Sequence, residues 1–186
     1  MREIELKLEF DPADLARIHA HPLLAATASQ QKTLRTTYYD TADLVLRKAG
    51  VSLRVRDTNG RFVQTIKSAN GSAGLFDRSE WEHEVKDRDI DLIAARGTAL
   101  EPLLSKKLRR SLKPLFKTKV RRTIYPVTTE AAEIELAIDN GSIHAGRRSA
   151  PIRELELELK RGPVASLSRA RRKEGTSSGM AEPPLR

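Results

Sequence analysis

Charged and apolar residues alternate along much of this chain. Residues 3–10 set Glu3, Glu5, Lys7 and Glu9 at one parity and Ile4, Leu6, Leu8 and Phe10 at the other, the period of a strand whose faces meet different surroundings. Asp11-Pro12 then reads as a helix start, an Asp cap before Pro at the first helical position, with Leu15, Ile18 and Leu23 as its buried side. Residues 33–39 and 51–56 read as strands around a loop containing Thr41-Ala42-Asp43, and Asn59-Gly60 predicts a tight hairpin into a strand over 61–67. A Gly/Ser/Asn-rich loop covers 68–74, and alternation returns over 78–85, with Arg78, Glu80, Glu82 and Glu84 opposite Trp81 and Val85. Leu100, Leu103, Leu104, Leu108 and Leu112 have helical spacing, stopped by Pro114. Strands are expected again at 117–126, 133–139 and 154–160, with Asn140-Gly141 marking another turn. The pattern therefore predicts an α+β domain of about eight strands and a few short helices.

The polar parity carries the candidate chemistry. In Glu3-x-Glu5-x-Lys7 the side chains share a face and stand about 7 Å apart, and Glu154-x-Glu156-x-Glu158-x-Lys160 nearly repeats it at the far end. On one strand this is the ordinary wet face of an antiparallel sheet. Across the chain, however, the signs segregate: Glu133, Glu135 and Asp139 join the acids of the terminal strands, whereas Arg54, Arg56, Lys67, Arg78 and Arg122 lie between them. A solvated surface would intersperse the signs. A barrel with a charged lumen, its apolar faces turned outward against helices, accounts for the segregation. Oxygen-only acid clusters suit Mg²⁺ or Mn²⁺, and Arg and Lys are the residues that neutralise phosphate oxygens.

Composition narrows the partners. The net charge is +9, and the excess of four bases after Lys160 is nearly half of it; anions are the expected ligands. With no cysteine, disulfides and thiolate metal sites are excluded. Residues 163–186 lose both periods and read as a basic, disordered tail. No leader segment and no membrane-length apolar run is evident, so a cytoplasmic protein without membrane contact is expected. His19, His21, His83 and His144 lack zinc-site spacing, Gly71-Ser72-Ala73-Gly74 lacks the lysine of a phosphate loop, and the few aromatics read as packing residues.

Glu3-Ile4-Glu5-Leu6-Lys7, Leu53-Arg54-Val55-Arg56, Thr65-Ile66-Lys67, Arg78-Ser79-Glu80 and Glu154-Leu155-Glu156-Leu157-Glu158, in this order, resemble the CYTH family of triphosphate tunnel metalloenzymes. The tract 133–160, with Ile138-Asp139-Asn140-Gly141 and Pro151, is similar to the family's bacterial inorganic triphosphatase branch. The resemblance covers residues 1–162 and implies an eight-stranded antiparallel barrel around a triphosphate-binding tunnel. It implies one or two divalent ions held by Glu3, Glu5, Glu156 and Glu158 with Glu154 or Asp139. Phosphates would be gripped by Lys7, Arg54, Arg56, Lys67, Arg78 and Arg122, Glu80 and Glu82 would support those bases, and Glu5 and Lys7 are the candidate catalytic residues.

Family members continue into an amphipathic helix and a basic stretch that 163–186 does not match, which reads as a truncated or frameshifted end lacking part of the barrel's cover. Within the family, inorganic tripolyphosphate is the leading substrate, because no aromatic platform for a base is evident. A class IV adenylate cyclase and a thiamine triphosphatase are the alternatives, and outside catalysis a polyphosphate- or RNA-binding module. A triphosphate-bearing small molecule is thus the expected partner, ahead of nucleic acid, and a homodimer stays open.

Overall fold

The computed structural model describes residues 2–69 and 76–167, without the side chains of residues 2, 3, 69 and 76–78. The 70–75 loop and the basic run after Leu167 therefore lie outside the described residues, as do the side chains of Glu3 and Arg78. Eight strands, β1 (Arg2–Glu9), β2 (Gln30–Asp40), β3 (Val51–Thr58), β4 (Arg61–Ala69), β5 (Phe76–Val85), β6 (Lys113–Thr128), β7 (Glu133–Ala145) and β8 (Arg148–Arg161), close into one barrel. The order around it is β1-β5-β4-β3-β2-β6-β7-β8, and every neighbouring pair is antiparallel. Closure pairs the first strand with the last, bringing Lys7 opposite Glu156 and Glu5 opposite Glu158.

Register partners share a face, so the alternation sorts the whole wall. Leu155, Leu157, Ile134, Leu136 and Ile138 face outward with Tyr125 and Val127, and pack with Phe10, Leu24 and partly buried Leu15 and Ile18 of the helical segment after β1. That segment comprises a 3₁₀ turn (Pro12–Asp14), α1 (Leu15–His19) and α2 (Pro22–Ala25). Asp11 caps the turn, its carboxylate accepting from the Ala13 amide. A second outer cluster sets Tyr39, Val51, Leu53, Val55 and Ile66 against α3 (Val45–Lys48), α4 (Lys106–Ser111) and the 90–104 segment through Leu46, Leu108, Ala95 and Leu100. Burying each such leucine or isoleucine contributes about 2 kcal/mol. Most apolar positions thus turn outward beneath helices and most charged ones face the lumen, where Leu34 and Val120 are the buried apolar pair between β2 and β6.

Local chemistry explains where the elements depart from expectation. Asn59 and Gly60 both have positive φ, 54° and 87°, the conformation that a two-residue hairpin requires. Asn140-Gly141, by contrast, is no turn: β7 runs through it, and the reversal comes at residues 146–147. A Cβ on Gly141 would lie 2.2 Å from the Lys119 carbonyl oxygen, so this glycine permits a close backbone approach of β7 to β6. The expected helix over 100–112 is split into a 3₁₀ turn (Glu101–Leu103) and α4, whose first turn is capped by the Ser105 hydroxyl. Inside the loop expected after β2, Asp40 nucleates α3, accepting from the amides of Thr41, Leu46 and Arg47. Beyond β8, residues 163–167 turn back and bury Leu167 in the first outer cluster. No described helix is long and apolar enough to cross a membrane.

Candidate functional site: a lumen with an acidic and a basic wall

The acidic wall is built by register. Glu154 of β8 stands opposite Asp139 of β7, which stands opposite Arg122 of β6. Carboxylate oxygens of Asp139, Glu154 and Glu156 lie within 4.8 Å of one another, the one such group among the described residues. Three hard oxygen donors at that separation suit a divalent cation such as Mg²⁺ or Mn²⁺. Glu5 is buried on the same wall beside Glu158, its register partner, and Glu158 meets Lys160 at 2.7 Å. Neither belongs to the three-acid group, although the sequence placed both among the metal ligands.

Two cations are threaded through that group. The Arg122 guanidinium donates to both oxygens of Asp139, at 2.7 and 2.6 Å, and to Glu156. Lys7 Nζ lies 2.6 Å from Glu156 Oε1 and 3.0 Å from Glu154 Oε2. Burial alone would push the Glu156 carboxyl upward, but Arg122 and Lys7 outweigh it and hold the pKa down at about 2. Burial opposes the charge on Lys7 too, yet Glu156 and Glu154 carry its pKa above the ordinary lysine range.

The basic wall follows from β3 and β4. Arg54 is register partner to Tyr38 and to Thr65, and Arg56 to Thr36 and Val63, so both arginines face the lumen. Lys67 pairs with Glu80 at 3.1 Å, Arg54 lies 3.6 Å from the same carboxylate, and the Thr65 hydroxyl donates to Glu82 at 3.3 Å. The Nε atoms of Arg54 and Arg56 are nevertheless buried without a hydrogen-bond acceptor. Burial, then the like charges of Arg54 and Arg122, push the Arg56 pKa down to about 10. For Arg54, burial is outweighed by Tyr38, Glu80 and Glu82, and its pKa is raised.

Tyr38, register partner of Arg54, faces the lumen as well. It hydrogen-bonds Arg54 and stacks on Phe116, with ring centroids 4.4 Å apart and planes 18° apart. A cavity of about 440 Å³ adjoins this pair at the barrel end near α3, lined also by Ser52, Lys67 and Arg47. Alternation did not mark it: Tyr38 shares its parity with Lys32 and Thr36 but also with buried Leu34, and Tyr39 shares its own with Arg35 and Thr37. A packed aromatic pair therefore lies beside the bases.

The CYTH domain family model matches residues 1–182. An inorganic triphosphatase from Haemophilus influenzae is 34% identical in an alignment 180 residues long that covers 90% of this chain and 47% of that protein. The chain thus spans about half the length of that curated relative. Among solved structures, a Hippeastrum protein described as revealing a dominant triphosphatase activity superposes with a TM-score of 0.62 at 20% identity, over 97% of this chain and 92% of its own. A Pyrococcus horikoshii protein does so with a TM-score of 0.54 at 18% identity, over 94% and 86% respectively. Those two likenesses establish the fold, whereas the family match takes in nearly every residue whose alternation built the two-walled lumen: this chain belongs to the CYTH domain family.

Proposed function

We propose that the chain hydrolyses a triphosphate in its lumen with a divalent metal, inorganic tripolyphosphate to pyrophosphate and phosphate being the leading reaction. One observation carries the reading: a single lumen faces a three-carboxylate group with two arginines whose buried Nε atoms have no acceptor. Buried donors of that kind call for an anion, and the carboxylates call for a cation. The name of the Haemophilus relative supports the same chemistry.

In this reading Arg54, Arg56, Lys67 and Arg122 bind phosphate oxygens, with Arg78 of β5 as a further candidate, and Lys7 sits where acids and phosphate meet. Asp139, Glu154 and Glu156 hold the metal, with Glu5, Glu158 and Glu3 as candidates from the same strands. A bound Mg²⁺ or Mn²⁺ supplies charge neutralisation and lowers the pKa of a coordinated water. Attack of water on the terminal phosphorus forms one P–O bond as the bridging P–O bond breaks, and pyrophosphate leaves with that electron pair. The chain's own part is to fix the three phosphates in line with the water and to neutralise the charge that develops. The Tyr38–Phe116 pair favours a second reading, in which an aromatic group attached to the triphosphate rests at the mouth.

One assay separates these readings. The purified chain is incubated with tripolyphosphate, ATP or thiamine triphosphate, with and without Mg²⁺ or Mn²⁺, and phosphate, pyrophosphate and cyclic AMP are measured. Metal-dependent phosphate release from tripolyphosphate, falling about a hundredfold or more in Glu156→Gln, is expected. Faster turnover of ATP or thiamine triphosphate selects the aromatic reading. Tight binding without product, unchanged in Glu156→Gln, would sink the hydrolase.

A further inference from the structure

The two walls are unequally served from within the chain. Each of the three acids already has a cationic partner: Lys7 joins Glu154 to Glu156, and Arg122 joins Asp139 to Glu156. Three carboxylates against two cations leave one net negative charge, so an incoming divalent ion meets a neutralised site rather than a triply charged one. The Arg54 and Arg56 Nε atoms, in contrast, have no internal acceptor.

The two cations differ in how readily they can leave. Arg122 is held by a planar fork on Asp139, and its side chain is 17% exposed. Lys7 reaches its carboxylates on a flexible four-carbon stem as a point charge, and its side chain is 37% exposed. Phosphate oxygens in the lumen would offer that ammonium acceptors without its leaving its strand face.

We propose that Lys7 is a placeholder for the metal. With its ammonium between Glu154 and Glu156 it weakens divalent-cation binding, and when an anion enters it turns onto the phosphate and frees the two carboxylates. The inference rests on the metal and phosphate assignments above and adds a regulation to them: metal and triphosphate bind with positive coupling, each raising the other's affinity by the same factor. Lys7 is then a positioning residue that couples the two walls, in addition to any contact with the substrate.

Mn²⁺ titration of the chelator-treated full chain by calorimetry tests this without reading turnover. Lys7→Met is expected to bind Mn²⁺ about tenfold more tightly than the unaltered chain in anion-free buffer, and Lys7→Arg to stay near the unaltered chain. Saturating sulfate, a weak chelator of Mn²⁺, should tighten binding to the unaltered chain and add little to Lys7→Met. Thermal melts confirm that the variants fold, and Lys7→Gln, which keeps a hydrogen-bonding end, should show the same tightening if Lys7→Met melts early. Unchanged or weaker Mn²⁺ affinity in both neutral variants overturns the placeholder while leaving the hydrolase intact. If neither the unaltered chain nor the variants bind Mn²⁺, the metal assignment fails and the placeholder with it. A negative hydrolysis assay leaves this titration unaffected.

Discussion

The acidic and basic walls of this barrel meet different fates. Asp139 is buried and Glu156 half-buried, yet each is bound by a guanidinium or ammonium placed there by strand register. The Nε of half-buried Arg56 is also buried, but it has no acceptor, and the like charges of Arg54 and Arg122 act on it more strongly than the opposite charge of Glu156. The first wall is organised for the chain's own stability. The second carries, at Arg56, an electrostatic cost that the chain's own acids offset only in part and that an anion from outside can offset further. Function and folding thus draw on opposite sides of one lumen.

The largest test of this contrast is Arg122→Met. The change leaves Asp139 and Glu156, with side chains 6% and 13% exposed, without the fork that compensates them. Losing one partner of a buried pair costs about 3–5 kcal/mol, because the remaining charge stays desolvated. Urea unfolding in the presence of chelator should show a loss of that size, and Mn²⁺ should restore part of it by replacing the missing positive charge. A loss below about 1 kcal/mol, the range of an exposed pair, would mean that register pairing does not hold the acidic wall.

Much of this lumen was legible in the sequence, because a barrel wall has two faces and side chains alternate between them. Glu5, Lys7, Arg54, Arg56, Lys67, Arg122, Asp139, Glu154, Glu156 and Glu158 all lie on the parity that faces inward. Sign segregation revealed that the polar side was an interior. Which acid meets which base was not legible. That Lys7 meets Glu156, and Arg122 meets Asp139, depends on the β1–β8 closure and the β6–β7 register, which alternation leaves free by steps of two.

Gly141 misled for a related reason. Its dipeptide matches a turn, yet it answers to a neighbouring strand's backbone, a tertiary demand with no local signature. The helix nucleated by Asp40 is four residues long, too short to show a period, and rests on the capping carboxylate and the burial of Leu46. Tyr38 could not be placed by parity, because β2 sets Leu34 on its side and Arg35 and Thr37 on the other, so only the register with Arg54 shows that it faces the lumen.

The smaller test runs the other way, since relieving the basic wall should stabilise the chain. The ordinary arginine pKa is 12.5 and that of Arg56 in the fold is about 10, so the unfolded chain holds this proton more tightly than the folded one. The arginine therefore costs stability, fully so below about pH 10, and the cost declines as pH rises from there toward 12.5. Arg56→Met keeps most of the buried stem and removes the charge, and should raise stability at neutral pH by about 1 kcal/mol, read as a higher Tm in anion-free buffer. The same variant should lose most of the Tm rise that tripolyphosphate gives the unaltered chain. Arg54→Met provides the contrast: the carboxylates of Glu80 and Glu82 compensate Arg54, so its removal should bring no gain. If Arg56→Met lowers the Tm as much as Arg54→Met does, the two arginines are equally well served within the chain, and the lumen has no unbalanced wall for a phosphate to complete.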